Sequence, residues 1–225
     1  MLRPLGREPF RPDTRDANYP PERLEAMIAA GKAKPLAWKV PRILDQGDNG
    51  TCVAAGTLGA CDCDDETHTD SGFSSAAIVP FFLTITGHGA LPDGGAQVRN
   101  GLKAAKKAGY ISAYSLLTTT AAITSWLEKH GPIVVGVDWF SGMDSPDTAG
   151  YVSVTGEVRG GHCFYGNGDV GCLQWVNSWG ASWGYHGHFY TRDADFAKLR
   201  TGDFEAWAIV QPKKAARRCR LLGRK

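Results

Sequence analysis

Apolar positions recur at helical spacing along the first half of this chain and at strand spacing along the second. "PPERLEAMIAAGK" predicts a short helix, with Pro21 and Glu22 suited to its first turn and Gly31 to its end. "TCVAAGTLGACDCDD" reads as a helix of small residues. Gly56 and Gly59 each cost about 1 kcal/mol against Ala in such a helix, so a close-packed partner and a central position are expected. "SSAAIVPFFLTITG" predicts a helix kinked or begun near Pro80. In "GGAQVRNGLKAAKKAGY", Val98, Leu102 and Ala105 form one apolar stripe and Gly109 is a stop signal. "TTAAITSWLEKHGP" repeats the form, ending at Gly131-Pro132.

From residue 133 the pattern changes. "IVVGVDWF", "YVSVTGEV", "HCFYG", "LQWVN", "GHFYTR" and "EAWAIV" are short, rich in Val, Tyr, Phe and Trp, and separated by Gly, Asp and Asn. Helices first and strands second predict an α+β chain with two lobes. The helical lobe is expected over about 45–115 and the sheet lobe over about 116–212. Residues 1–35 read as an N-terminal arm or short pro-like segment.

Composition narrows the class. The chain has 225 residues, 43% of them hydrophobic, enough for a core without disulfides. Its six cysteines lack the spacing of a stapled scaffold and read as mostly reduced. The longest apolar run, 76–87, is too short to span a membrane. "MLRPLGREPFRPD" has no apolar secretory region. The net charge of +2 conceals an asymmetry: residues 213–225 hold seven Lys or Arg and no acid, leaving 18 basic against 23 acidic residues elsewhere. That tail reads either as a solvated terminus or as a weak contact for nucleic acid or an anionic surface.

The candidate chemistry centres on Cys52, in "DQGDNGTCVAAG". A thiol at a helix start meets unpaired N–H groups and the helix dipole, which favour the thiolate. A nucleophilic thiol also needs a base, a group that orients the base, and donors for an oxyanion. His162 in "RGGHCFYG" is the base candidate and Asn177 in "WVNSWG" the orienting one. They meet only if the hairpin between them does not turn at Asn167-Gly168. That tight turn would set Cys163 opposite Cys172 and leave Asn177 several residues beyond His162. A loop nearer 167–172 brings the pair together and undermines a Cys163–Cys172 disulfide. Gln46 and the Cys52 N–H are the oxyanion donors. Cys61, Cys63 and His68, with Asp64 or Asp65, raise a metal reading. Cysteines two apart on a helix point about 200° from each other, so no metal is assigned, and no cofactor.

With these residues in place, the chain resembles the papain-like cysteine peptidases. Asn49-Gly50-Thr51-Cys52-Val53 stands where that family has C-G-[SA]-C-[WY]. Gln46 matches the family's oxyanion glutamine, "GGHCFYGNG" its histidine strand, and "NSWGASWGYHGHFYTR" its asparagine segment. "DGGAQVRNGLKAAKKAGY" is similar to the segment lining its substrate cleft, "GPIVVGVD" to the strand before the histidine, and "RPDTRD" to arms of bacterial and phage members. The resemblance covers about 36–211. It implies a two-lobe fold with a nucleophile helix, an antiparallel sheet or barrel, and the active-site cleft between them. It also implies an endopeptidase in which Trp179 shields the His162–Asn177 bond and Gly94, Gly95, Gly161 and Trp179 contact a peptide or protein substrate. The departures are Asn49 for a disulfide cysteine, Val53 for an aromatic residue, and a Cys52-to-His162 span of 110 positions, short of the ~130–150 usual there. Two other readings stay open: a non-catalytic peptide-binding or virion protein on the same fold, and a related acyl-transfer or isopeptide-cleaving enzyme.

Overall fold

The computed structural model describes residues 3–13, 26, 37–63, 72–91 and 94–212. The predicted helix over 20–32 falls largely outside them, as do the tail 213–225 and Asp64, Asp65 and His68.

Helix α1 spans Cys52–Asp62, and every residue in it is buried. The two glycines explain how it can sit so deep. A Cβ on Gly56 would stand 3.1 Å from Cys163 Sγ, and one on Gly59 would stand 2.4 Å from the Tyr165 ring. Helix α2 (Ile78–Thr86) follows a 3-10 turn at Ser75–Ala77 and carries Pro80 in its first turn, where no N–H is missed. Helix α3 (Val98–Lys107) buries the stripe Val98, Leu102 and Ala105. After strand β1 (Ala113–Leu116), helix α4 (Thr120–Lys129) starts at Thr119, whose hydroxyl accepts the Ala122 N–H. Strands β2 (Ile133–Phe140), β3 (Val158–Asp169), β4 (Leu173–Val176) and β5 (His188–Thr191), helix α5 (Asp193–Leu199) and strand β6 (Glu205–Val210) complete the order.

The strands form one open antiparallel sheet in the order β1-β6-β2-β3-β4-β5. It is not closed into a barrel. Both of its faces are covered. Val134, Cys163 and Tyr165 pack in the core that contains α1 and α3. Ile133, Val135, Val137 and Trp139 point into a second core with α4 and α5. That two-sided burial accounts for the unbroken apolar run of β2. Among the described residues no helix is long and apolar enough to cross a membrane.

One predicted strand is absent. "YVSVTGEV" alternates buried Val152 and Val154 with exposed Ser153 and Thr155, yet only Tyr151 forms a bridge and only Val158 joins a strand. The Val152 N–H goes to the Tyr190 carbonyl and the Val154 N–H to the Asp195 carboxylate, so the segment never enters a ladder. Two elements were not anticipated, β1 and α5. The β3–β4 hairpin turns at Val170–Cys172, and the register shifts between Gly166 and Gly168. Asn167 is drawn out of the ladder because its carbonyl accepts the Trp38 N–H at 2.7 Å and its amide donates to the Trp38 carbonyl at 3.2 Å. Cys163 and Cys172 are both free thiols.

Candidate active site

Cys52 is the first residue of α1, so its N–H has no acceptor within the helix. His162 lies in β3, paired with Val137 of β2. Its Nε2 is 2.8 Å from Asn177 Oδ1. The same oxygen accepts the Ser178 N–H at 2.8 Å, which fixes it as the amide oxygen and makes Nε2 the protonated ring nitrogen. Nδ1 is then left as the acceptor. It is buried and makes no hydrogen bond among the described residues. An imidazole held in this tautomer keeps Nδ1 as its basic nitrogen.

Aromatic rings wall the pair off from water. Trp179 lies on His162 with centroids 4.9 Å apart, and Trp139 meets it edge-on at 4.8 Å. Trp183 and Phe189 extend the cluster around Trp139. Trp179, expected to contact substrate, is buried against the imidazole.

Gln46 is brought over by backbone pairing: its N–H donates to the Ser178 carbonyl, and the Gly180 N–H donates to Leu44. The Ser178 hydroxyl donates to Gln46 Oε1 at 2.6 Å, which turns Nε2 outward as a donor. Ser178 was not singled out from the sequence. Its place beside Asn177 was visible there, but not the partner 132 positions away.

Residues Pro4–Glu8 run through the cleft between the lobes, beside a cavity of about 500 Å³ lined by Leu5, Gly50, Gly94 and Gly160. The Ala96 N–H donates to the Gly6 carbonyl at 2.9 Å, the Glu8 N–H to Ala96 at 2.9 Å, and the Arg7 N–H to the Gly161 carbonyl at 3.0 Å. The arm thus runs as an extra strand between the Gly94–Ala96 segment and β3. The Gly161 carbonyl pairs with the arm. Ala96, rather than Gly94 or Gly95, pairs on the other side, and Gly95 supplies closeness: a Cβ there would stand 2.0 Å from Gly6 O. Gln46 Nε2 donates to the Asn49 carbonyl at 2.7 Å and to the Pro4 carbonyl at 3.3 Å.

Under this cover Cys52 and His162 are fully buried. Burial pushes the Cys52 thiol up to about 11, offset in part by N–H donors from Cys163, Gly6 and Val53 and by the charge of Arg7. Burial pushes His162 down to about 4, opposed by its bond to Asn177. With the arm in place the two groups are a neutral thiol and a neutral imidazole. Among the described residues no group of three or more His, Cys, Asp or Glu is placed to hold a metal.

No protein-family model matches the sequence, and no curated protein matches it. Solved structures do. Xylellain, a cysteine protease from Xylella fastidiosa, aligns with a TM-score of 0.72 and 19% identity over 95% of this chain and 98% of its own. Digestive procathepsin L2 proteinase from the larval midgut of Tenebrio molitor aligns at 0.58 and 14% identity, over 92% and 78%. A cysteine protease of Carica candamarcensis, solved in complex with E-64, aligns at 0.57 and 12% identity, over 77% and 94%. These likenesses establish a papain-like fold.

Proposed function

We propose that the protein is a cysteine endopeptidase that hydrolyses peptide bonds through a thioester on Cys52, and that residues 1–35 hold it latent. The catalytic unit is residues 36–212. The observation that carries this reading is the 2.8 Å bond between His162 Nε2 and Asn177 Oδ1, which leaves Nδ1 as the base in a cleft headed by Cys52. With the arm displaced, water and substrate dipoles relieve the burial that keeps the pair neutral, and the proton moves from Cys52 to His162. The thiolate attacks a peptide carbonyl. Gln46 Nε2 and the Cys52 N–H hold the oxyanion, the role in which Gln46 Nε2 now meets the Pro4 carbonyl. Imidazolium His162 protonates the leaving amine, then takes a proton from water as it hydrolyses the thioester. Retention of all four groups favours catalysis over a purely binding role. Nothing among the described residues supports contact with nucleic acid.

The test is labelling of the full chain by a thiol-directed epoxide at pH 6–7, with Cys52→Ala as control. Slow labelling of the wild type, faster labelling of Arg7→Ala, and none of Cys52→Ala is the expected result. A folded Arg7→Ala protein that neither labels nor cleaves any peptide overturns the reading.

A further inference from the structure

Asp144 holds two of the three indoles gathered at His162. It caps the 3-10 turn Ser141–Met143 that follows β2. Its Oδ1 accepts the Trp139 indole N–H at 2.9 Å, and its carbonyl accepts the Trp183 indole N–H, also at 2.9 Å. Trp139 stands edge-on to the imidazole and to Trp179, and Trp183 meets Trp179 edge-on from another side. The Trp179 indole N–H is buried and makes no hydrogen bond among the described residues. The ring that lies on His162 therefore has no polar anchor of its own: it packs against two indoles that Asp144 holds.

The same carboxylate faces a cation. Arg159 Nη1 donates to Asp144 Oδ1, and a bulge makes that pairing possible. Trp139 stands opposite Gly160 and Phe140 opposite Val158, so Arg159 has no partner in β2. Gly160, at a φ of +149°, supplies the backbone conformation, and the extra residue re-aims the Arg159 side chain toward the turn after β2. Arg159 precedes His162 by three positions on β3, and its charge disfavours the imidazolium. Asp144 sets a negative charge against it in a part-buried site, where salt and water screen less than at the surface. Beyond these, the elements packed around the imidazole bring Cys52 from α1 and, from the arm, Arg3 paired with Asp45 and Arg7 paired with Asp203 and Glu205.

We infer that Asp144 is a positioning residue of the active site, which holds the indole wall against His162 and offsets Arg159 so that the imidazole can carry the positive charge that catalysis requires. It touches no reacting atom. The inference rests on the peptidase reading for what the imidazolium does, and on the geometry alone for the charge balance.

An NMR titration tests the charge balance without turnover. In the full chain carrying Cys52→Ala and Arg7→Ala, the His162 ring signal, identified by its loss in His162→Gln, is followed against pH. Asp144→Asn keeps an oxygen for the Trp139 N–H but removes the charge, and is expected to lower the His162 midpoint by about 0.5 pH unit, the order of one partly screened charge. Arg159→Gln is expected to raise it by a similar amount, and the two substitutions together to return it close to the parent value. A midpoint that moves in neither single variant, or in the same direction in both, overturns the inference. The indole wall is read by kinetics in the chain carrying Arg7→Ala alone. Asp144→Ala, which also removes the indole acceptor, is expected to lower kcat at least fivefold with KM little changed. If Asp144→Ala does not fold, Trp139→Phe removes the same bond and is expected to act alike. An unchanged kcat overturns the positioning role. Absence of any turnover in Arg7→Ala, with the NMR shifts as expected, speaks against the peptidase reading alone.

Discussion

Gly6 and Gly50 meet backbone to backbone: a Cβ on Gly6 would stand 1.8 Å from the Gly50 carbonyl oxygen. No rotamer change relieves such a clash, because the opposing atom is main chain. Gly6→Val is therefore expected to lift the arm from the cleft while leaving both cores intact. The rate of Cys52 modification by iodoacetamide should rise at least tenfold, with little change in the melting temperature of the body.

Ser178 positions Gln46 without reaching the substrate. Ser178→Ala removes the donor to Gln46 Oε1 and lets the amide turn. In a chain activated by Gly6→Val, peptide turnover should fall by about tenfold, the order of one oxyanion donor imperfectly aimed. Alkylation of Cys52 by iodoacetamide forms no oxyanion and should be nearly unchanged. Equal loss in both assays would point to a general structural role for Ser178.

Asn177→Ala removes the acceptor that fixes the His162 tautomer. Turnover in the activated chain should fall by about 10- to 100-fold, less than the ~10²–10⁴ of the proton-transferring group itself. The acidic limb of the pH–rate profile should move, because the Asn177 bond stabilises the charged imidazole.

His162 also makes the closed protein sensitive to acid. Its native value of about 4 lies below the ~6.5 of an unfolded histidine, so between the two the unfolded chain binds more protons. The stability due to neutral His162 is fully present above pH 6.5 and is lost as pH falls toward 4, by up to about 1.4 kcal/mol per pH unit. Unfolding free energies from urea titrations at pH 7 and pH 4.5 should differ less in His162→Gln than in wild type.

Gly59→Ala sets a methyl group 2.4 Å from the buried Tyr165 ring. Helix propensity alone would favour alanine by about 1 kcal/mol, but overpacking at a buried site costs about 1–3 kcal/mol. The net expectation is a lower melting temperature, readable by calorimetry.

Helices α3 and α4 were legible because each pairs a local period with a local stop, as with the Val98–Leu102–Ala105 stripe ended by Gly109, whereas α1 was legible only as a run of small residues. His162 and Asn177 were legible as partners because the register of one hairpin constrains them. What escaped was non-local. Val152 and Val154 alternate like strand residues, but their N–H groups go to Tyr190 and Asp195. Strand β1 has only four residues and owes its place to β6, almost a hundred positions later. Helix α5 buries only Phe196 and Leu199, too few for a visible period. The sequence allowed residues 1–35 to be either a pro-like segment or an arm packed on the sheet. Nothing local to Arg7 indicates that its partners stand near residue 200.

Strand β6 lies between β1 and β2 although it is the last of the described strands to be synthesised. It also brings Glu205 to Arg7, across a separation of 198 positions. During synthesis the arm emerges first, but the carboxylate that receives the Arg7 side chain arrives only with β6. The insertion that completes the sheet lobe therefore also creates the socket for its cover. A nascent chain lacking β6 has neither this internal strand of its sheet nor the socket for Arg7.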